Sequence, residues 1–139
     1  MLFSRLVGLP VVSLAGGAEL GVVRSPVLDA GSGLVTHLRI RGRLRPARKE
    51  TVLAWDAVHA VGPEAVLVRS AVRSPVPPPR LDVLGRRVLT ETGDERGTVL
   101  DVVFDPSTGR VLALFTTHGE LPAHRLLGLG DYALVVRAV

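Results

Sequence analysis

The chain has 139 residues, enough for one ordinary domain or two small ones, and 47% are apolar with few aromatics, so its core must come from Val, Leu and Ala. There is no Cys, which excludes disulfides, thiolate chemistry and Cys-ligated zinc. The formal charge of +4 is uneven: residues 1–79 carry ten Arg and Lys against five Asp and Glu, and residues 80–139 carry seven against eight, so the two halves face different surroundings.

The chain begins MLFSRLVGLPVVSLAGGAEL, one Arg followed by an apolar run and small residues, the outline of a signal peptide. Pro10 interrupts that run, and Arg5 is the only positive side chain before it. The segment therefore reads as the first strand of a domain, and the cytoplasm as the location. No apolar run reaches the roughly 18 residues that a membrane helix needs. Next come LGVVRSPVLD, AGSG and LVTHLRI, read as strand, turn and strand, with Pro26 predicted to interrupt the first of these strands.

The stretch RIRGRLRPARKE follows, with Arg39, Arg41, Arg43, Arg45, Arg48 and Lys49 ahead of the first acid, Glu50. Odd-numbered spacing places the first four arginines on one side of an extended strand. Such a strip suits an acidic protein face, nucleic-acid phosphates or anionic lipid headgroups. It also suits a solubilising edge that blocks sheet-to-sheet association. It carries no interleaved aromatics of the kind that bind single strands. Trp55, the only Trp, follows the apolar run TVLA and is predicted to fill a seam or a barrel mouth, the alternative being an exposed partner anchor.

Four prolines within Pro75–Pro79 make a stiff extended connector, and the sequences on its two sides repeat. GLPVVSLAGGAELGVVRSPVLDAGSGLVTHLRI matches GRRVLTETGDERGTVLDVVFDPSTGRVLALFTT, with Gly8 on Gly85, Gly21 on Gly97, Asp29 on Asp105 and Gly33 on Gly109. The ends match as well, with Gly62 on Gly130 and Arg69 on Arg137, while the first half has eight additional residues near 41–50. The organisation predicted is a tandem: residues 1–73 with an additional basic hairpin, a connector at 74–80, and residues 81–139.

In the second unit RRVLT is a strand, TGDERG a turn and TVLDVVFD a strand alternating Val99, Asp101 and Val103 against Leu100, Val102 and Phe104. DPSTG makes a tight turn, with Pro106 fixing φ and Gly109 free to take a positive φ. RVLALFTT then pairs back antiparallel. GELPAHRLLGLG starts extended and contains one short helical turn, and YALVVRAV closes the unit. Each unit is thus all-β, a small and strongly bent antiparallel sheet closing on itself, which also hides its edges.

This pattern resembles the PRC-barrel family, which includes the cytoplasmic domain of the photosynthetic reaction-centre H subunit and the C-terminal domain of the ribosome maturation factor RimM. The likeness rests on Gly97 before the second strand, the Asp105 and Gly109 turn, Pro122 before a short helical turn, and Gly130-Asp131 before the last strand. The first unit keeps Gly21, Asp29 and Gly33 but has Ala54 and Trp55 in place of Pro122 and Ala123, and Pro63 in place of Asp131. The resemblance implies adaptors that bind proteins or support RNA- and membrane-associated complexes, and assigns no catalytic residue and no cofactor.

Asp105, Ser107, Thr116, Thr117, His118, Glu120 and His124 crowd one stretch of about twenty residues, yet the turn and strand pattern assigns them to backbone capping and a solvated loop. No nucleophile has a recognisable base, the four His are scattered at 37, 59, 118 and 124, and the Gly-rich pieces lack a phosphate-loop pattern. The expectation is a non-enzymatic module with no metal and no small-molecule substrate. Its macromolecular partner is a protein ahead of RNA, with an anionic membrane surface as a further alternative. The partner-binding candidates are Arg39, Arg41, Arg43, Arg45, Arg48, Lys49 and Trp55.

Overall fold

A computed structural model of the chain describes residues 1–42, 50–69 and 81–138. Val-rich runs separated by glycines favour extended backbone, because branched side chains pack well on a pleated surface and glycines release the chain to turn. After a four-residue helix, α1 (Phe3–Leu6), the first half forms β1 (Pro10–Ser13), β2 (Glu19–Asp29), β3 (Leu34–Arg41) and β4 (Glu50–Ala54). A 3-10 turn (Trp55–Ala57), β5 (Val58–Val61) and β6 (Val66–Val68) complete it. The second half forms β7 (Arg87–Thr90), β8 (Glu95–Phe104), β9 (Val111–Thr116) and β10 (Gly119–Pro122). A 3-10 turn (Ala123–Arg125), β11 (Leu126–Leu129) and β12 (Leu134–Val136) follow.

Each half makes one six-stranded sheet, in the orders β4-β3-β2-β1-β6-β5 and β10-β9-β8-β7-β12-β11. In both, the two edge strands are consecutive in the chain, with only the 3-10 turn between them. A flat sheet of this size would hold its edges roughly 24 Å apart, at about 4.8 Å per strand. A three-residue connection reaches no more than about 14 Å. Each sheet must therefore curl until its edges approach. The all-β tandem of small bent sheets agrees with the sequence reading, with one difference: the sheets are mixed. β1 runs parallel to β6, with Val11 beside Val66, and β7 runs parallel to β12, with Val88 beside Leu134. The 3-10 turn carries the chain on without reversing it, so the last strand returns to the first in the same sense.

The duplication extends to individual backbone hydrogen bonds. Gly8 N–H donates to Val23 O at 2.9 Å and Gly85 N–H to Val99 O at 2.8 Å. Arg69 N–H donates to Ala57 O at 2.8 Å, and Arg137 N–H to Arg125 O at 2.7 Å. Gly62 and Gly130 each close the turn before the last strand, onto Ala65 O and Ala133 O. A repeated sequence here means a repeated bond network.

Two local expectations change. The alternation along β8 shifts phase: Val99, Val102 and Phe104 are buried while Leu100 is 59% exposed. The ladder to β9 explains this, since Val99 faces Thr116 and Asp101 faces Phe115, leaving Leu100 as the extra residue of a bulge. Pro26, predicted to interrupt a strand, lies inside β2. The ladder of β2 with β1 covers Glu19 to Val22, so on that side Pro26 stands beyond the ladder, where a missing N–H costs little.

Two compact units emerge, and segments of the first repeat belong to both. One comprises Met1–Ser4, Leu28–Val35 and the described residues of Pro79–Val139; the other comprises Arg5–Val27 and the described residues of Thr36–Pro78. Inside the former, Leu2 bridges Val103 and Phe104 N–H donates to Met1 O at 2.9 Å. Phe3 packs edge-on against Phe104 with centroids 5.3 Å apart, and both rings are fully buried. Leu34 bridges Arg110, flanked by two reciprocal bonds: Val35 N–H to Gly109 O at 2.7 Å and Val111 N–H to Gly33 O at 2.8 Å. Leu6, Val11, Leu38, Ile40, Val66 and Val68 are among the fully buried side chains of the latter. No helix among the described residues is long and apolar enough to cross a membrane.

Candidate functional site

The polar stretch from Asp105 to His124 is occupied with its own backbone. Asp105 Oδ1 accepts the Ser107 hydroxyl at 2.7 Å and the Ser107 N–H at 2.9 Å. Those bonds, the hydroxyl's first, hold the Asp105 carboxyl below its ordinary value. Its carbonyl takes the Gly109 N–H at 2.7 Å, and Gly109 has φ of 77°. The matching turn in the first repeat does the same, with the Ser32 hydroxyl on Asp29 Oδ2 at 2.6 Å and Gly33 N–H on Asp29 O at 2.9 Å. Thr116 donates its hydroxyl to Gly119 O at 2.8 Å and accepts the His118 N–H at 3.1 Å, which locks the β9–β10 turn. Gly97, with φ of 78°, lies so close to this turn that a Cβ there would strike the Thr117 side chain. His118 sits in the turn, Glu120 on β10 and exposed His124 in the 3-10 turn beyond. Among the described residues no three His, Asp or Glu side chains gather as a metal site.

The basic strip divides. Arg39 is 3% exposed, and its Nη1 lies 3.6 Å from Glu50 Oε1 across the β3–β4 ladder. Arg41 is exposed at the end of β3, where it faces Glu50 in the register. Arg43, Arg45, Arg48 and Lys49 lie outside the described residues. Trp55 opens the first 3-10 turn and is buried, 8% exposed. The spacing rule set Arg39 and Arg41 on one surface, but the fold buries the first inside an ion pair and leaves the second in solvent.

A second polar constellation, which sequence reading did not single out, lies in the second repeat. Asp82, Leu84, Gly85, Arg86, Arg87, Thr98 and Tyr132 line an open groove of about 420 Å³. Arg87 and Thr98 face each other across β7 and β8. The Arg87 guanidinium stacks 4.9 Å from the Tyr132 ring centroid and donates from Nη1 to the Tyr132 hydroxyl at 2.6 Å. Arg86 is pinned by Nε to Asp82 O at 3.1 Å and by Nη1 to Asp131 O at 2.7 Å. Tyr132 is 66% exposed, the most exposed large hydrophobic side chain among the described residues. The residues are up to fifty positions apart in sequence, and only the parallel β7–β12 pairing brings the two ends together.

Compared with known families, the chain matches the PRC-barrel domain twice, over residues 1–71 and 81–138. Domains of that kind are in general protein-interaction modules and typically non-catalytic. The curated proteins give no match.

Proposed function

Because the chain belongs to the PRC-barrel family and carries the domain twice, we propose that it is a non-enzymatic adaptor whose basic β3–β4 connection contacts an acidic protein. One observation carries this reading. Matched backbone hydrogen bonds recur in the two repeats, at Gly8 and Gly85, Gly62 and Gly130, and Arg69 and Arg137, yet the first inserts a basic connection between Arg41 and Glu50 where the second has only Thr117 and His118 between its strands. An insertion that the scaffold does not need is free to serve a partner. Arg39 and Glu50 fix the base of that connection, and Arg41 carries the strip into solvent.

The competing reading is contact with RNA through the same arginines. Affinity for a phosphate backbone falls steeply with salt and depends little on sequence. Affinity capture from the native cytoplasm, with and without nuclease, separates the two. The adaptor reading expects a protein partner that survives nuclease and is lost in an Arg41→Glu, Arg43→Glu double variant of unchanged fold. Recovery of RNA, with nuclease-sensitive and salt-sensitive binding lost in the same variant, would replace it.

A further inference from the structure

We propose that the Arg87–Tyr132 groove of the second repeat is a docking site for the carboxylate side chains of an acidic segment in a partner protein. This inference rests on the adaptor reading above, but on a different surface of the chain.

The internal duplication acts as a control for what the fold requires. Counting from the matched glycines, Leu9, Pro10, Val22 and Glu64 stand in the first repeat where Arg86, Arg87, Thr98 and Tyr132 stand in the second. Pro10 and Val22 face each other in the first ladder just as Arg87 and Thr98 do in the second. The backbone bonds around both sets are the same: Leu9 N–H to Leu6 O at 3.0 Å against Arg86 N–H to Val83 O at 3.1 Å. The scaffold is therefore satisfied by apolar side chains at three of these positions, and by Glu64 at the position of the phenol. Two guanidinium groups and a solvent-facing phenol in their place are additions to it.

The chemistry of the groove selects an anion. Arg86 spends its hydrogen bonds on two neutral carbonyls and forms no ion pair with a carboxylate among the described residues, and the groove lining sets two guanidinium groups against the single carboxylate of Asp82. Arg87 has Glu95 only at 3.9 Å, beyond hydrogen-bond reach, with both side chains well exposed. Its one hydrogen bond among the described residues goes to Tyr132, which leaves most guanidinium N–H donors open. A carboxylate takes such donors in a paired, charge-assisted geometry. Tyr132 holds the guanidinium plane in place, so less side-chain freedom is lost on binding.

The same stack argues against a nucleobase. Arg87 already covers the Tyr132 face on which it lies, so a base stacking there would have to displace it. A carboxylate approaches the guanidinium edge and leaves the stack intact. Tyr and Arg together are also the residue types that anchor protein interfaces.

The test is amide chemical-shift mapping on the full chain, titrated with a poly-glutamate peptide, with poly-lysine, inorganic phosphate and poly-uridine RNA as the other probes. The expected result is saturable shifts around Arg87, Thr98 and Tyr132 with poly-glutamate. Affinity at the groove should be about tenfold weaker in Arg87→Gln, the loss of one charge-assisted contact, weakened also in Tyr132→Ala, and unchanged in Arg41→Gln. Spectra of the variants that match the parent away from the groove show that the fold is kept. Shifts confined to the surroundings of Arg41, or groove shifts that Arg87→Gln leaves intact, would overturn this site while leaving the adaptor reading in place. Groove shifts with poly-uridine or phosphate and none with poly-glutamate would overturn the carboxylate specificity. An adaptor whose partner is captured only through RNA would instead fail in the nuclease experiment, whatever the groove does.

Discussion

The β3–β4 and β9–β10 hairpins grow from matching strands and end differently. In the second repeat Thr116 pairs with Gly119, and Thr117 and His118 make the whole connection, clamped by the Thr116 hydroxyl. In the first, Arg41 pairs with Glu50 and the connection covers residues 42–49. Both strands nevertheless press on an equivalent glycine: a Cβ on Gly21 would meet Arg41 O at 2.5 Å, and one on Gly97 the Thr117 side chain. The lesson is a division of labour. Much of what holds each sheet is written twice in the chain, and the basic connection and the Arg87–Tyr132 pair, proposed above for partners, are written once.

The largest expected effect tests the shared scaffold. Phe104 is fully buried against Phe3, and its counterpart in the first repeat is Leu28. Phe104→Ala should cost about 3–5 kcal/mol, while Phe104→Leu, which imitates the other repeat, should cost much less. Urea unfolding monitored by circular dichroism reads both; equal costs would show that the aromatic pair adds nothing beyond apolar volume.

Next comes a feature of one repeat only. Arg39→Ala removes the buried guanidinium that lies 3.6 Å from Glu50 Oε1, at an expected cost of about 3 kcal/mol. Arg41→Ala, exposed one turn of the pleat further on, should stay within about 0.5 kcal/mol. Similar losses from both would mean that Arg39 does not anchor the connection.

Two glycines sharpen the comparison at smaller scale. Gly85 has φ of 80° with nothing within 4 Å of an added Cβ, so Gly85→Ala should cost about 1 kcal/mol of backbone strain. Gly97 has φ of 78° and the Thr117 and His118 side chains beside it, so Gly97→Ala should cost about 2 kcal/mol, strain plus displacement. The difference between the two midpoints measures the close approach alone, and its absence would mean the turn yields freely.

The smallest effect is a pH dependence. Asp105 has its folded pKa lowered by Ser107, so its contribution is complete well above the ordinary value of 3.8 and is lost as pH falls through the lower folded value. The stability gap between the parent and Asp105→Asn should thus be widest near neutrality and narrow below about pH 4. A gap that grows on acidification would contradict the assignment.

The duplication, the turn residues and most strand positions were legible because glycine and proline mark turns through backbone sterics alone. Leu100 was not, since a bulge is a property of two strands in register and not of one. Arg39 was misplaced because alternation fixes the side of a strand but not what covers that side. The parallel closing ladder, and the assignment of Met1–Ser4 and Leu28–Val35 to the unit containing β8, depend on contacts between residues as much as about a hundred positions apart, which no local pattern encodes. The groove escaped for the same reason, although the mismatch of Pro10 with Arg87 and of Glu64 with Tyr132 was already present in the two aligned halves.

Hydrogen–deuterium exchange on the full chain, alone and with its captured partner, tests the division between scaffold and partner surface most directly. The account predicts new protection at positions written once, around Arg41 and the β3–β4 connection and at Arg87 and Tyr132, with the matched turns at 29–33 and 105–109 unchanged. Protection concentrated on those matched turns, with the basic connection and the groove unaffected, would contradict it.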